Sequence, residues 1–286
     1  MAAIDVGSNT TRLLVARVRG GRVEPIADGS AMTALGAGLR GGGQIGPEAL
    51  DLAAETVHRM AEEARGLGAV RLLVACTAPA RTAANAPELL ARLAEAAGVA
   101  PRALSGAEEA ALSFRGMVAA GAPDPLLAVD LGGGSLELMG GEGGRLRWAT
   151  SLPVGARSLT ERFAPADPPS LDLAAPMIAA VQVMLEAVEL PLAAREAVAT
   201  GGSALALAAL AGTERLDGEA LLRAVERIAG APAADVAAEA GVEPARLRLS
   251  LAGAAALEAV RRTFGLDALL VSGAGLREGL LLEAAA

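Results

Sequence analysis

The chain has 286 residues and a formal net charge of -8, and all 25 of its basic residues are arginine, so a Walker-type phosphate lysine and a Schiff-base lysine are excluded. One Cys and one His rule out an internal disulfide, a thiolate zinc cluster and a histidine-rich metal site. The acidic balance and an aromatic content of 1% argue against a nucleic-acid partner, which needs a basic face or stacking rings.

The chain opens with a short apolar run ending in an acid and a hydroxyl-rich turn, Ile4-Asp5-Val6-Gly7-Ser8-Asn9-Thr10. Residues 13–18 continue as a second strand, and Gly20-Gly21 turns into a hairpin partner over 22–26. The stretch 36–46 reads as a loop, with Gly41-Gly42-Gly43 a mobile segment of it. Pro47 opens a helix to about residue 67 with Leu50, Val57, Ala61 and Ala64 on one face; His58 falls off that stripe and reads as solvent-facing. An apolar strand over 70–75 closes on Cys76, a small core residue, and a Pro79-initiated turn leads into a helix through Ala97. A strand over 102–104 and a helix over 108–120 follow, then a linker, Gly121-Ala122-Pro123-Asp124-Pro125.

The second half repeats the scheme. Strands are expected over 126–131, 136–139 and 146–152, with helices around 172–188. A strand over 197–200 leads into Gly201-Gly202-Ser203 and a helix; more helices fill 218–265, before a strand over 268–272 and a last helix from 276. Strands first, then alternating strand and helix, in both halves, give a duplicated α/β architecture. The first residues lack a basic n-region and the longest uncharged stretch, 197–213, is short for a membrane span, so the expectation is a cytoplasmic protein with no membrane partner.

The turn recurs as Val129-Asp130-Leu131-Gly132-Gly133-Gly134-Ser135. Successive amides of a glycine-rich turn form a concave anion site that a phosphate oxygen can enter closely. Gly7, Ser8, Asn9 and Thr10 in the first copy, and Gly132, Gly133, Gly134 and Ser135 in the second, are therefore candidate phosphate ligands. Two facing copies would form a cleft gripping a phosphate chain from both sides. Arg12 reads equally as a second phosphate ligand or an exposed strand residue. Gly201, Gly202 and Ser203 contact a phosphate or base, or simply allow a tight turn. With few other ligands available, oxygen donors suit Mg²⁺, and Asp5, Asp130 and Glu137 are the candidates to hold it. A general base would then be a carboxylate.

These turns, with Gly201-Gly202-Ser203, resemble the phosphate loops of the actin/Hsp70/sugar-kinase superfamily. Further blocks resemble the exopolyphosphatase/guanosine pentaphosphate phosphohydrolase (Ppx/GppA) family: Thr77-Ala78-Pro79-Ala80-Arg81 with Asn85, Leu104-Ser105-Gly106-Ala107-Glu108-Glu109-Ala110, Asp130 to Leu138, Ser151 to Ala156, and Gly275-Leu276-Arg277-Glu278-Gly279. They occur in the family's order along nearly the whole chain. The resemblance implies two RNase H-like domains with mixed sheets flanked by helices, over 1–120 and 121–286. The helix from about 275 is free to pack back across their interface. It also implies the two-domain short form, a possible homodimer, Arg81 at the substrate and Glu109 as catalytic base. Glu108-Glu109 after Ser105 is also a helix-capping pattern, which assigns the cap to Glu108. The chain departs from the family at Ala34, where an arginine is common, and at Pro79, where a small residue is usual. The implied activity is hydrolysis of terminal phosphate from inorganic polyphosphate. The alternatives are pppGpp hydrolysis, a superfamily kinase, or a polyphosphate- or nucleotide-binding sensor without turnover.

Overall fold

A computed structural model describes residues 1–37, 39, 43–163 and 165–286; Gly38, Gly41 and Gly42 of the glycine-rich loop lie outside the described residues. The chain packs into two units, Met1–Ala122 with Ala274–Ala286, and Pro123–Gly273. The first runs β1 (Ala2–Val6), β2 (Thr10–Arg19), β3 (Arg22–Met32), α1 (Pro47–Gly66), β4 (Leu72–Cys76), α2 (Ala78–Thr82), α3 (Ala86–Ala97), β5 (Arg102–Ala103) and α4 (Gly106–Ala119). Its sheet has the order β3-β2-β1-β4-β5, antiparallel across β3-β2-β1 and parallel across β1-β4-β5.

β1 is central because both its faces are apolar. Ile4 and Val6, with Leu13 and Val15 of β2, pack against Leu50, Val57 and Ala61 of α1 and Leu89 and Leu93 of α3. On the other face Ala3, Leu14 and Ala75 meet Leu112 of α4. Each large aliphatic side chain so buried contributes about 1.5–3 kcal/mol.

Two expectations are corrected here. The helix foreseen through Ala97 is two helices, because Pro87 has no N–H for the Ala83 carbonyl and its ring clashes there, forcing a restart with Pro in the first turn of α3. The strand foreseen from Val70 starts two residues later, and Val70 is 95% exposed in the turn after α1. His58 is exposed as expected, with Nδ1 3.3 Å from the Ala96 carbonyl oxygen.

The second unit runs β6 (Leu126–Leu131), β7 (Leu136–Glu142), β8 (Arg145–Leu152), α5 (Ala156–Phe163), a 3₁₀ turn at Leu171–Leu173, and α6 (Ala174–Leu185). It continues with β9 (Glu196–Thr200), α7 (Gly202–Ala211), β10 (Arg215–Leu216), α8 (Gly218–Gly230), α9 (Ala233–Ala240), α10 (Pro244–Leu247), α11 (Ser250–Thr263) and β11 (Ala268–Val271). The sheet order β10-β11-β9-β6-β7-β8 repeats the first: a central strand, an antiparallel hairpin on one side and a parallel strand on the other. Val129, Leu131, Leu136 and Leu138 pack against Met177 and Val181 of α6 and Leu251 and Leu257 of α11. α5 and β10 carry no sequence expectation. α5 buries only Ala156 and Leu159, too few for a periodic stripe, and β10 has two residues.

α12 (Leu276–Ala285) belongs to the first unit. Leu276, Leu280 and Leu281 join Leu112 in the core, and Gly116 of α4 and Gly279 of α12 let the two backbones touch: a Cβ at either would fall on a backbone oxygen, of Gly275 or Leu112. The buried Arg277 donates to Leu13 O at 2.7 Å and Asp28 Oδ1 at 2.9 Å, tying α12 to β2 and β3. No helix among the described residues is long and apolar enough to cross a membrane.

Candidate active site

The first turn is a tight link between β1 and β2, closed by Gly7 N donating to Thr10 O at 3.1 Å. Residues 33–37 strap it from outside. Thr33 N and Ala34 N both donate to Asn9 O, and Gly36 N donates to Ser8 O at 2.6 Å. Gly36 has to be glycine, because a Cβ there would stand 2.9 Å from Ser8 Cβ. The strap holds Ala34 at φ 50, in the left-handed region. Within the turn, Asn9 Nδ2 and Thr10 Oγ1 approach the Met32 sulfur, at 3.3 and 3.8 Å, and Asn9 Oδ1 is buried with no hydrogen-bond partner among the described residues.

Asp5 lies on β1 directly opposite Arg12 on β2 and beside Ala75 on β4. The residue is partly exposed, but its Oδ1 is sealed from solvent without a partner. Burial first, then the negative charge of Glu109, push its pKa up to about 7 against the pull of Arg12 and Arg277.

Glu109 stands in the first turn of α4, whose N-terminus is fixed by a capping box. Ser105 Oγ accepts from Glu108 N at 3.2 Å, and the Glu108 carboxylate accepts from Ser105 N at 2.9 Å. With Glu108 spent on the cap, the neighbouring Glu109 turns toward α2. Its Oε2 accepts from Arg81 Nη1 at 2.7 Å, and the same nitrogen donates to Leu104 O at 2.9 Å. Burial raises the Glu109 pKa, and Arg81 opposes the rise. Asp5, Arg12, Arg81 and Glu109 thus form one electrostatic group of the first unit. Cys76, at the end of β4, also feels Asp5, Arg81 and Glu109, but burial pushes its thiol up to about 12 and keeps it a neutral core group.

The second turn repeats the first: Gly132 N donates to Ser135 O at 3.0 Å. Asp130 is directly opposite Glu137, so their Cβ atoms are about 5 Å apart on one face of the sheet. Glu137 is buried and accepts from Ser151 Oγ at 2.8 Å. α5 backs the turn, with Ala156 N donating to Gly132 O and Ser158 N to Gly133 O.

The third loop begins with Gly201 at φ 101, where a Cβ would strike the Leu131 carbonyl at the end of β6; Ser203 is buried against Gly253 of α11. This loop also carries a cation absent from the sequence reading. Arg246 of α10 lies on Gly202 so closely that a Cβ there would overlap its guanidinium, and burial lowers the arginine's pKa. No spacing rule joins residues 202 and 246; only the fold brings them together.

A hard cation suits these donors. Two carboxylates opposed across a strand pair repel each other, and the Asp5 Oδ1 is sealed without a hydrogen-bond partner among the described residues. Among the described residues no three His, Cys, Asp or Glu side chains gather closely enough to cage an ion. Mg²⁺ binds through one or two carboxylates, with water and phosphate oxygens completing its shell.

The Ppx/GppA phosphatase family profile matches residues 14–286. The chain belongs to the Ppx/GppA phosphatase family. Among the relatives of this Ppx/GppA protein, "Exopolyphosphatase 1" of Mycobacterium tuberculosis is 31% identical, over 99% of this chain and 87% of the relative. "Exopolyphosphatase 2" of the same organism is 32% identical, over 100% and 98%. The Aquifex aeolicus Ppx/GppA family member superposes with a TM-score of 0.80 at 26% identity, covering 99% of this chain and 96% of that one. The resemblance read from the motifs is borne out, as is the fold of two mixed sheets flanked by helices. Like its relatives, this Ppx/GppA chain is a phosphatase.

Proposed function

We propose that the chain is an exopolyphosphatase that releases the terminal phosphate of inorganic polyphosphate, with short chains preferred. The observation that carries the reading is the part-buried Glu109 carboxylate, held by Arg81 at 2.7 Å within the field of Asp5. A carboxylate whose proton affinity burial has raised is a better base than an exposed one and suits abstraction of a proton from an attacking water. Arg81 fixes the direction of that carboxylate, and its planar guanidinium offers further N–H groups to a phosphate. The turn amides of Gly7–Thr10 and Gly132–Ser135 bind phosphate oxygens, aided by the hydroxyls of Ser8, Thr10 and Ser135. Arg12 and the loop Gly201–Ser203 add further contacts. Asp5, Asp130 and Glu137 are the proposed Mg²⁺ ligands, directly or through water, and Mg²⁺ when bound neutralises charge on the phosphate oxygens.

Phosphate release from tripolyphosphate, long-chain polyphosphate, pppGpp and ATP, each with Mg²⁺, tests the reading. Fastest release from the short polyphosphate is expected. Release from pppGpp alone would make the chain a guanosine pentaphosphate phosphohydrolase. Binding without release from any of them would make it a sensor.

A further inference from the structure

Arg157 is a cation placed where the free protein does not accommodate it well. It stands in the first turn of α5, between the two residues whose N–H groups hold the carbonyls of Gly132 and Gly133, each at 3.0 Å. Gly155 keeps this contact close, since a Cβ there would come to 2.6 Å from Gly132 O. The main chain at residue 157 is therefore fixed against the glycine turn. The residue is half-exposed, yet its Nε is sealed from water and has no hydrogen-bond partner among the described residues. Burial lowers its pKa, and Glu161, one helical turn on, is the opposing charge. A guanidinium does not shed its proton in proteins, so the cost of this burial falls on the ligand-free state.

Two other arginines held inside the fold serve as structural ties with built-in acceptors. Arg277 bonds Leu13 O and Asp28, and Arg261 bonds both oxygens of Glu258 and Leu266 O. Arg157 has no comparable set. The buried side chain of its helix turn is Leu159, which anchors α5 without it. In a chain of net charge -8, a polyanion has to be held by local cations of this kind.

We propose that Arg157 is a phosphate ligand of the Gly132–Ser135 turn, its guanidinium binding oxygens of a linear polyphosphate chain alongside the turn amides. This rests on reading that turn as a phosphate cradle. No spacing pattern marks the residue; the backbone bonds of its neighbours Ala156 and Ser158 to the turn do.

The test compares wild type, Arg157→Gln and Arg157→Lys in tripolyphosphate hydrolysis with Mg²⁺ and in thermal unfolding with and without tripolyphosphate. Arg157→Gln should raise KM about tenfold with kcat within about twofold, the loss of one charge-assisted phosphate contact. Its ligand-free Tm should equal or exceed that of wild type, because an ill-paired charge has been removed, and tripolyphosphate should raise its Tm less. Arg157→Lys, which keeps the charge without the fork, should fall between; it carries the same comparison if the glutamine variant fails to fold. A lowered ligand-free Tm with unchanged KM would make Arg157 a structural tie and overturn the proposal. So would an unchanged KM with an undiminished Tm response, while wild type hydrolyses tripolyphosphate normally. A wild type that neither hydrolyses tripolyphosphate nor is stabilised by it overturns the cradle itself, and Arg157 with it.

Discussion

Asp5→Asn should stabilise the metal-free protein at alkaline pH while abolishing its activity. The carboxyl titrates at about 7 in the folded chain and at 3.8 as a free group. Below 3.8 it is protonated in both states and its burial is harmless. As the pH rises toward 7 the unfolded chain sheds the proton and the folded chain keeps it, so stability falls by about 1.4 kcal/mol per pH unit. Above 7 the loss is complete, at most about 4 kcal/mol, with the partial exposure of the residue making this an upper value. A carboxamide of the same shape titrates nowhere in this range. Urea unfolding of both proteins at pH 5 and pH 8, in chelator, isolates the effect of Asp5 and the groups coupled to it, because titrating groups remote from Asp5 cancel in the difference. The variant's advantage should grow by about 2 kcal/mol between the two pH values. Added Mg²⁺ should shrink that advantage, since a cation at Asp5 favours the ionised acid of wild type. Stability profiles that run parallel from pH 5 to pH 8 would refute the burial of an ionisable Asp5.

Glu109→Gln removes the proposed base but keeps the side chain's shape; turnover should fall by about 10²–10⁴-fold, with tripolyphosphate affinity by calorimetry changed only slightly. Gly116→Ala and Gly279→Ala each force a methyl onto backbone oxygen where α4 and α12 touch, and should cost about 2–3 kcal/mol in urea unfolding; because α4 carries Glu109, kcat should drop as well, more than KM rises. Ala34→Gly relieves a left-handed residue at φ 50 and should stabilise the chain by about 0.5–1 kcal/mol in thermal unfolding.

The strands of this fold are legible wherever an apolar run ends in a turn with its own chemistry. β1, β6 and β9 each finish at a glycine loop; β6 and β9 lie within a residue of where the sequence places them, and β1 starts two residues before Ile4. The cap at Ser105 is equally plain, because a capping box is a local device of four residues. What escaped depends on distance. Pro87 was in view, yet the break it makes between α2 and α3 is a competition between helix propensity and one missing N–H. α5 has two buried residues and no stripe, so nothing in the local pattern singles out Arg157. Arg246 is 44 residues from the glycine it covers. Ala34 could be noted as a departure from a family pattern, but its left-handed backbone follows from two amides converging on Asn9 O, which no local sequence signal records.

The duplicated hairpin shows how one local structure has been given two electrostatic tasks. In each copy an Asp ends the central strand, and the residue seven positions on lies directly opposite it across the antiparallel pair. In the first copy that residue is Arg12, whose charge works against the burial of Asp5. In the second it is Glu137, which sets two carboxylates about 5 Å apart at Cβ on one face. The Asp5–Arg12 pair sets opposite charges across the strands. The Asp130–Glu137 pair sets like charges across them, a repulsion that a divalent ion at the proposed Mg²⁺ site would relieve. Of the three carboxylates we propose for Mg²⁺, Asp130 and Glu137 are the two that face each other across one strand pair. In the first copy the same position sets an arginine opposite Asp5, which in turn feels the charge of Glu109, the base we propose.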